Sequence, residues 1–206
     1  MRNRTLFLSL VLVVLFSLSN LFAQADNKVD YNVVNTSKLT IKGTSTLHDW
    51  KVNANIINGN LAVDNGSSET TAIANLGDLS EMKVIIPVKG LKSGESGMDD
   101  KMDDALKAED NPTITYVLNK VDSVVYNDKS KDEFMVNTYG TLTIAGKSKN
   151  IEMKVNGKIN GNNIVFTGEK KLLMTDFGVD PPTAFFGVMK SGNEITIVYN
   201  IVLAKK

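Results

Sequence analysis

Apolar and polar residues alternate along most of the chain after residue 25, with an apolar side chain at every second position. The clearest runs are Leu39 and Ile41; Trp50, Val52, Ala54 and Ile56; Met82, Val84, Ile86 and Val88; Ile114, Tyr116 and Leu118; and Ile195, Ile197, Tyr199, Ile201 and Leu203. Successive side chains of a strand point to opposite faces, so this spacing predicts half-buried β-strands. Turn pairs such as Asn156-Gly157 and Asn160-Gly161 separate the runs. The pattern predicts an all-β fold, either a closed antiparallel barrel or a sandwich.

The alternation also selects an inward face, which we expect to form a core or to line a cavity. The residues on this predicted face are Leu39, Ile41, Trp50, Val52, Val84, Ile86, Ile114, Tyr116, Leu142, Met153, Phe166 and Tyr199. A small barrel can either fill its interior with such side chains or enclose one apolar ligand. The pattern leaves both alternatives open.

One segment departs from the strand pattern. Met98, Met102, Ala105 and Leu106 have the spacing of a single helical face, which predicts one short amphipathic helix over residues 97–109. The intervening acidic residues are predicted to form its solvated face; they are Asp99, Asp100, Asp103 and Asp104.

The segment from Leu39 to Ile56 recurs 103 residues later, with nine of eighteen positions identical. Gly43 and Gly146 are equivalent in the two copies, and each lies between two alternating runs. Because glycine adopts the positive φ of tight turns, we predict that both occupy hairpin corners.

The N-terminus has the order of a secretory signal: two arginines, an apolar run of about 11 residues, then small residues ending at Ala25. A permanent anchor would need roughly 20 apolar residues. We therefore expect residues 1–25 to be a signal peptide and residues 26–206 to form one barrel domain. This predicts a periplasmic or secreted protein without stable membrane insertion.

Composition removes several functional classes. Twenty-three basic and 23 acidic residues create no field that would attract nucleic acid, and the chain contains no cysteine and a single histidine, His48. One histidine cannot supply a transition-metal site, and a His48-Asp49 dyad is awkward because strand neighbours point to opposite faces. We expect no catalytic residue, no metal and no cofactor.

Four further segments stand out along the chain: 39–50 (LTIKGTSTLHDW), 111–116 (NPTITY), 140–149 (GTLTIAGKSK) and 175–179 (TDFGV). Together, and in this order, they resemble the YceI-like family of bacterial extracytoplasmic proteins. The resemblance implies an eight-stranded antiparallel lipocalin-like β-barrel with a helix between two strands, and non-catalytic binding of polyisoprenoid or related long-chain amphiphiles. The chain departs from the family in lacking an aromatic residue over 103–109.

Two functions follow as alternatives: a carrier that holds a polyisoprenoid in an apolar cavity, and a packed module that binds a protein partner, with a homodimer left open. For the carrier we predict ligand contacts in the cavity or at its mouth from Trp50, Val84, Ile86, Ile114, Tyr116, Phe166, Phe177, Phe185, Phe186 and Met189. His48 is predicted at a polar rim. Phe177, Phe185, Phe186 and Met189 are placed near the entrance because glycines and prolines make their segment irregular, and the polar head group is expected to stay outside.

Overall fold

The computed structural model describes residues 28–64, 79–127, 129–184 and 186–206, which form an antiparallel β-barrel. The strands are β1 (Lys28–Val33), β2 (Lys38–Ser45), β3 (Trp50–Ala54), β4 (Asn58–Asp64), β5 (Leu79–Pro87), β6 (Leu91–Lys92), β7 (Thr113–Asn127), β8 (Ser130–Ile144), β9 (Lys147–Asn160), β10 (Asn163–Leu173), β11 (Thr183–Ala184) and β12 (Met189–Lys205). One α-helix, α1 (Ser96–Ala105), lies between β6 and β7. The predicted all-β, eight-stranded barrel with one short helix is confirmed.

Eleven of the twelve segments form eight barrel strands because the first three barrel strands are each interrupted, and β11 pairs only with β12 beside the barrel. β1 with β2 and β3 with β4 form one broken hairpin, in which β1 pairs with β4 and β2 with β3. β5 and β6 continue the sheet by pairing with β4 and β3. The ring closes where β12 pairs with both β1 and β2. Every neighbouring pair is antiparallel, and the eight barrel strands follow one another around the barrel in sequence order.

The helix is shorter than predicted, and one of its acidic residues is not solvated. Met98, Met102, Ala105 and Leu106 pack against the core as expected. Asp99, by contrast, is only 9% exposed. It accepts hydrogen bonds from the side chain and backbone of Ser93, which hold the pKa of its carboxyl below the ordinary value. Asp99 therefore fixes the start of the helix to the preceding loop.

The predicted equivalence of Gly43 and Gly146 is wrong. Gly146 has a φ of 77° and, with Ala145 at 48°, forms the two-residue turn between β8 and β9. Gly43 lies inside β2 opposite Trp50, and its φ is not positive. The turn of the first hairpin begins three residues after Gly43, at 46–49, so the sequence repeat does not extend to the turn.

One end of the barrel is filled with side chains. Leu61, Val63, Ile164 and Leu203 there are completely inaccessible to solvent. Phe134 packs edge-on against Phe166 with 6.2 Å between ring centroids. These residues close this end of the barrel, which we call the filled end, and the other end forms a cavity.

Candidate ligand cavity

The part of the barrel away from the filled end encloses a cavity of about 610 Å³. All twelve residues of the predicted inward face line it, which confirms the register read from the alternation. Several of them, such as Ile41 and Met153, are only partly buried because they face this open space rather than a packed core. The volume lies within the range of roughly 300–1,000 Å³ that is typical of ligand pockets.

The wall of the cavity is almost entirely apolar. Aliphatic side chains come from every barrel strand, and methionines are added at Met82, Met98, Met102, Met153, Met174 and Met189. Thioether side chains are flexible and polarizable, which allows a wall to adapt to an irregular chain. Two of these methionines, Met98 and Met102, come from α1, so the helix contributes its apolar face to the cavity.

Four aromatic side chains in the barrel interior each pack over a glycine of the neighbouring strand, and three of them, Trp50, Tyr116 and Tyr199, line the cavity. A methyl group at Gly43 would be 2.1 Å from the Trp50 ring, and one at Gly157 would be 2.0 Å from the Phe134 ring. The corresponding distances are 2.4 Å for Gly140 and Tyr116, and 2.5 Å for Gly168 and Tyr199. Gly157, expected in a turn, therefore lies inside β9 as the partner of an aromatic ring. These glycines keep large rings out of the lumen.

The open end is framed by the turn between β2 and β3, by α1 and by the segment before β12. Ser45 and His48 line the cavity here, and His48 is exposed, as expected of a rim residue. The His48 Nδ1 lies 2.9 Å from the backbone oxygen of Asp49, not from its carboxylate. The Lys101 ammonium donates to the backbone oxygen of Thr183 at 2.9 Å, which joins α1 to the opposite side of the mouth.

The structure brings most of the predicted ligand-contact residues to the cavity wall. These are Trp50, Val84, Ile86, Ile114, Tyr116, Phe166, Phe177 and Met189. Phe177 is 2% exposed and is built into the wall. Phe186 departs from the prediction: its side chain is fully exposed, at 110%, and does not line the cavity. It has a positive φ of 54° and lies in the turn between β11 and β12. Phe185 lies outside the described residues.

Polar groups occur deep in the cavity at Tyr116, Thr138 and Tyr199, which we call the deep polar cluster. The Tyr116 hydroxyl is 3.3 Å from Thr138 Oγ1, which donates to the backbone oxygen of Met153 at 3.4 Å. Burial raises the pKa of Tyr116, and the pKa of Tyr199 is raised by burial and then by the proximity of Tyr116. Both phenols are therefore neutral at physiological pH.

The wall between β9 and β10 is only partly hydrogen-bonded. The two strands pair near the filled end, from Asn156 with Thr167 to Asn160 with Asn163. Toward the mouth, the pairing of β9 with β10 ends at Asn156 and Thr167 among the described residues. Beyond that point Lys170 Nζ donates to the backbone oxygen of Glu152 at 2.7 Å. This side of the cavity is thus closed by side chains rather than by a continuous ladder.

The described residues show neither a metal site nor a membrane span. Within 28–64, 79–127, 129–184 and 186–206, no three His, Cys, Asp or Glu residues lie close enough to hold a metal ion. Among the helices in this part of the chain, none combines the length and apolar character needed to cross a membrane.

The comparisons with known proteins agree with this geometry. A family model for the YceI-like domain matches residues 31–203, which is most of the chain. The chain belongs to the YceI-like family. A search among curated proteins gives no match.

Solved structures support the same assignment at the level of the fold. BcnA of Burkholderia cenocepacia is 17% identical, with a TM-score of 0.60 over 81% of this chain and 96% of its own. A polyisoprenoid-binding domain from Saccharophagus degradans is 13% identical, with a TM-score of 0.62 over 85% and 98% of the two chains. The YceI protein of Campylobacter jejuni is 20% identical, with a TM-score of 0.52 over 75% and 84%. At these identities the likeness establishes the shared YceI-like barrel and no more.

Sequence reasoning missed several features of this YceI-like cavity. Gly140 and Gly168 carry no turn signature, and their role is visible only from the aromatic ring across the strand pair. Lys170 belongs to the inward-facing positions of β10, with Phe166 and Leu172, although its charge suggests an outer position. The alternation through 166, 168, 170 and 172 could have placed it inward.

Proposed function

We propose that this YceI-like protein is a non-catalytic, extracytoplasmic carrier that holds a polyisoprenoid or similar long-chain amphiphile in its barrel. The observation that carries the proposal is the apolar cavity of about 610 Å³, open at one end and closed by packed side chains at the other. The polyisoprenoid-binding domain with the same fold supports this ligand class. The secretory pattern of residues 1–25 supports the extracytoplasmic location.

The driving force for binding is the removal of the chain from water. Burial of roughly 400 Å² of apolar ligand surface is worth about 10 kcal/mol before the costs of association and ordering. The aromatic rings packed over glycines keep the lumen wide enough for a chain, and the methionines adapt to its branches. The alternative of a fully packed module is disfavoured because the part of the barrel away from the filled end holds this cavity instead of packed side chains.

Native mass spectrometry of the protein purified from its own host's envelope tests the proposal directly. We expect a bound species whose mass identifies a long-chain lipid. Delipidated protein should then bind geranylgeraniol saturably, and the emission of Trp50, the single tryptophan, should change because its indole lines the cavity. A protein without co-purified lipid that binds neither prenyl nor fatty chains would overturn the carrier function.

A pair of neighbouring variants separates the cavity from the outer surface. Ile41 lines the cavity, whereas Lys42 is exposed on the other face of β2. Ile41→Tyr fills part of the lumen and should weaken geranylgeraniol binding about tenfold, which corresponds to about 1.4 kcal/mol. Lys42→Tyr should leave the affinity unchanged. Equal affinities for both variants would place the ligand outside the barrel.

A further inference from the structure

Tyr199 presents an unused hydrogen-bonding group deep in the barrel. Its side chain lines the cavity and is 8% exposed. Within the described part of the chain, its buried hydroxyl has no hydrogen-bond partner. A buried hydroxyl without a hydrogen bond lowers the stability of the folded protein. It therefore either binds a polar group of a ligand or destabilises the barrel locally.

The position of this hydroxyl separates it from the rim. Tyr199 pairs with Leu39 of β2, whereas Ser45, six residues further along the same strand, lies at the mouth. Six residues of strand span roughly 20 Å. The ring lies over Gly168, where a methyl group would be 2.5 Å from the phenolic oxygen. A group that meets this hydroxyl therefore belongs to the inner end of a bound chain, not to an end that remains at the mouth.

The neighbouring groups define what would fit. Thr138 donates its proton to the backbone oxygen of Met153, so the proton shared between Thr138 and Tyr116 comes from Tyr116. The Tyr116 oxygen then keeps acceptor capacity, while the neutral Tyr199 phenol keeps a proton to donate. A ligand hydroxyl can accept from one phenol and donate to the other. A phosphate or carboxylate would enter an apolar environment as an ion, which is costly without a paired cation, and the ammonium of the inward-facing Lys170 is already held by the backbone oxygen of Glu152.

We propose that the deep polar cluster of Tyr116, Thr138 and Tyr199 binds an uncharged hydroxyl at the inner end of a long-chain ligand. The ligand class is a prenyl or fatty alcohol that enters with its hydroxyl first and leaves its hydrocarbon end toward the mouth. This orientation reverses the sequence-based expectation that the head group stays outside. The inference rests on the proposed function, since it requires that the barrel hold such a chain.

The test combines one protein substitution with one change in the ligand. Delipidated wild-type protein, Tyr199→Phe and Tyr139→Phe are titrated with geranylgeraniol and with a prenyl hydrocarbon of the same length that lacks oxygen. Tyr199→Phe removes only the phenolic oxygen. Tyr139→Phe is the matched control, because Tyr139 does not line the cavity and instead packs under the Lys120 ammonium at 4.8 Å from its ring centroid.

We expect Tyr199→Phe to weaken geranylgeraniol binding about fivefold, the effect of one ordinary hydrogen bond, and to leave hydrocarbon binding equal or tighter. Tyr139→Phe should match the wild type with both ligands. If Tyr199→Phe binds geranylgeraniol as tightly as the wild type, the inner hydroxyl site is refuted while the carrier function stands. If wild-type protein binds neither ligand, the carrier function itself fails and the inner site fails with it.

Discussion

Replacing Gly43 by alanine should destabilise the barrel and narrow its mouth, although alanine ordinarily stabilises extended backbone. The new methyl group would lie 2.1 Å from Cζ2 of Trp50. Non-bonded carbons pack at about 3.5–4.0 Å, so the indole must move by about 1.5 Å. Trp50 Nε1 donates to the backbone oxygen of Thr44 at 2.9 Å and to Ser191 Oγ at 3.0 Å, and this movement strains both bonds.

The expected magnitude follows from three opposing effects. Overpacking costs about 1–3 kcal/mol, and weakening a hydrogen bond costs about 1 kcal/mol. The reduced freedom of the unfolded chain returns about 0.4–1 kcal/mol. We therefore expect a net loss of about 2 kcal/mol in the free energy of unfolding, or roughly 4–8 °C in Tm for a chain of this size. Urea and thermal unfolding followed by circular dichroism measure both quantities.

Two comparisons show whether the ring causes the loss. Gly97→Ala, in α1 with no heavy atom within 4 Å of the new methyl group, should be neutral or stabilising. On a Trp50→Leu background, Gly43→Ala should cost little, so the double-mutant cycle should give a coupling of about 2 kcal/mol. Additive effects of the two substitutions would refute the explanation. Geranylgeraniol affinity should fall with Gly43→Ala, because the displaced indole moves into the lumen.

Three further outcomes are expected. Phe186→Ala should leave the equilibrium affinity for geranylgeraniol within about twofold of wild type, since a side chain outside the cavity wall buries little apolar surface of the ligand. A tenfold loss of affinity in a binding titration would show that Phe186 contacts the ligand. Asp99→Asn should lower the unfolding free energy at pH 7. The difference from wild type should shrink as pH falls below the ordinary aspartate pKa of about 3.9, because a carboxyl with a lowered folded pKa loses its stabilising effect as pH falls through that pKa. A difference that stays constant in urea titrations across pH would contradict this. Gly146→Ala should lower the Tm more than Gly161→Ala. Both glycines have a positive φ, but only the methyl group at position 146 would lie 2.6 Å from Asn111 Oδ1. Equal decreases in Tm would show that Asn111 moves away without cost.

Gly43, Gly146 and Tyr199 show where sequence reasoning ends for this protein. Alternation determined which side chains point inward, because a strand has a fixed period of two and a burial pattern that fits only one register. It also located the helix, whose apolar face repeats with the helical period. The inward residues and the fold class could therefore be read from the chain.

Tertiary structure decided what the inward residues surround. The same alternation is compatible with a filled or a hollow barrel, and only the packing shows that Leu61 and Ile164 fill one end while Ile41 and Met153 face open space. The cross-strand partner likewise decides whether a glycine serves a turn or an aromatic ring, because residues far apart in sequence meet only through strand pairing. In the sequence, Tyr199 is indistinguishable from any other core aromatic residue. The structure places it opposite Gly168 and near Tyr116, and its hydroxyl has no hydrogen-bond partner among the described residues. These features identify it as a recognition group.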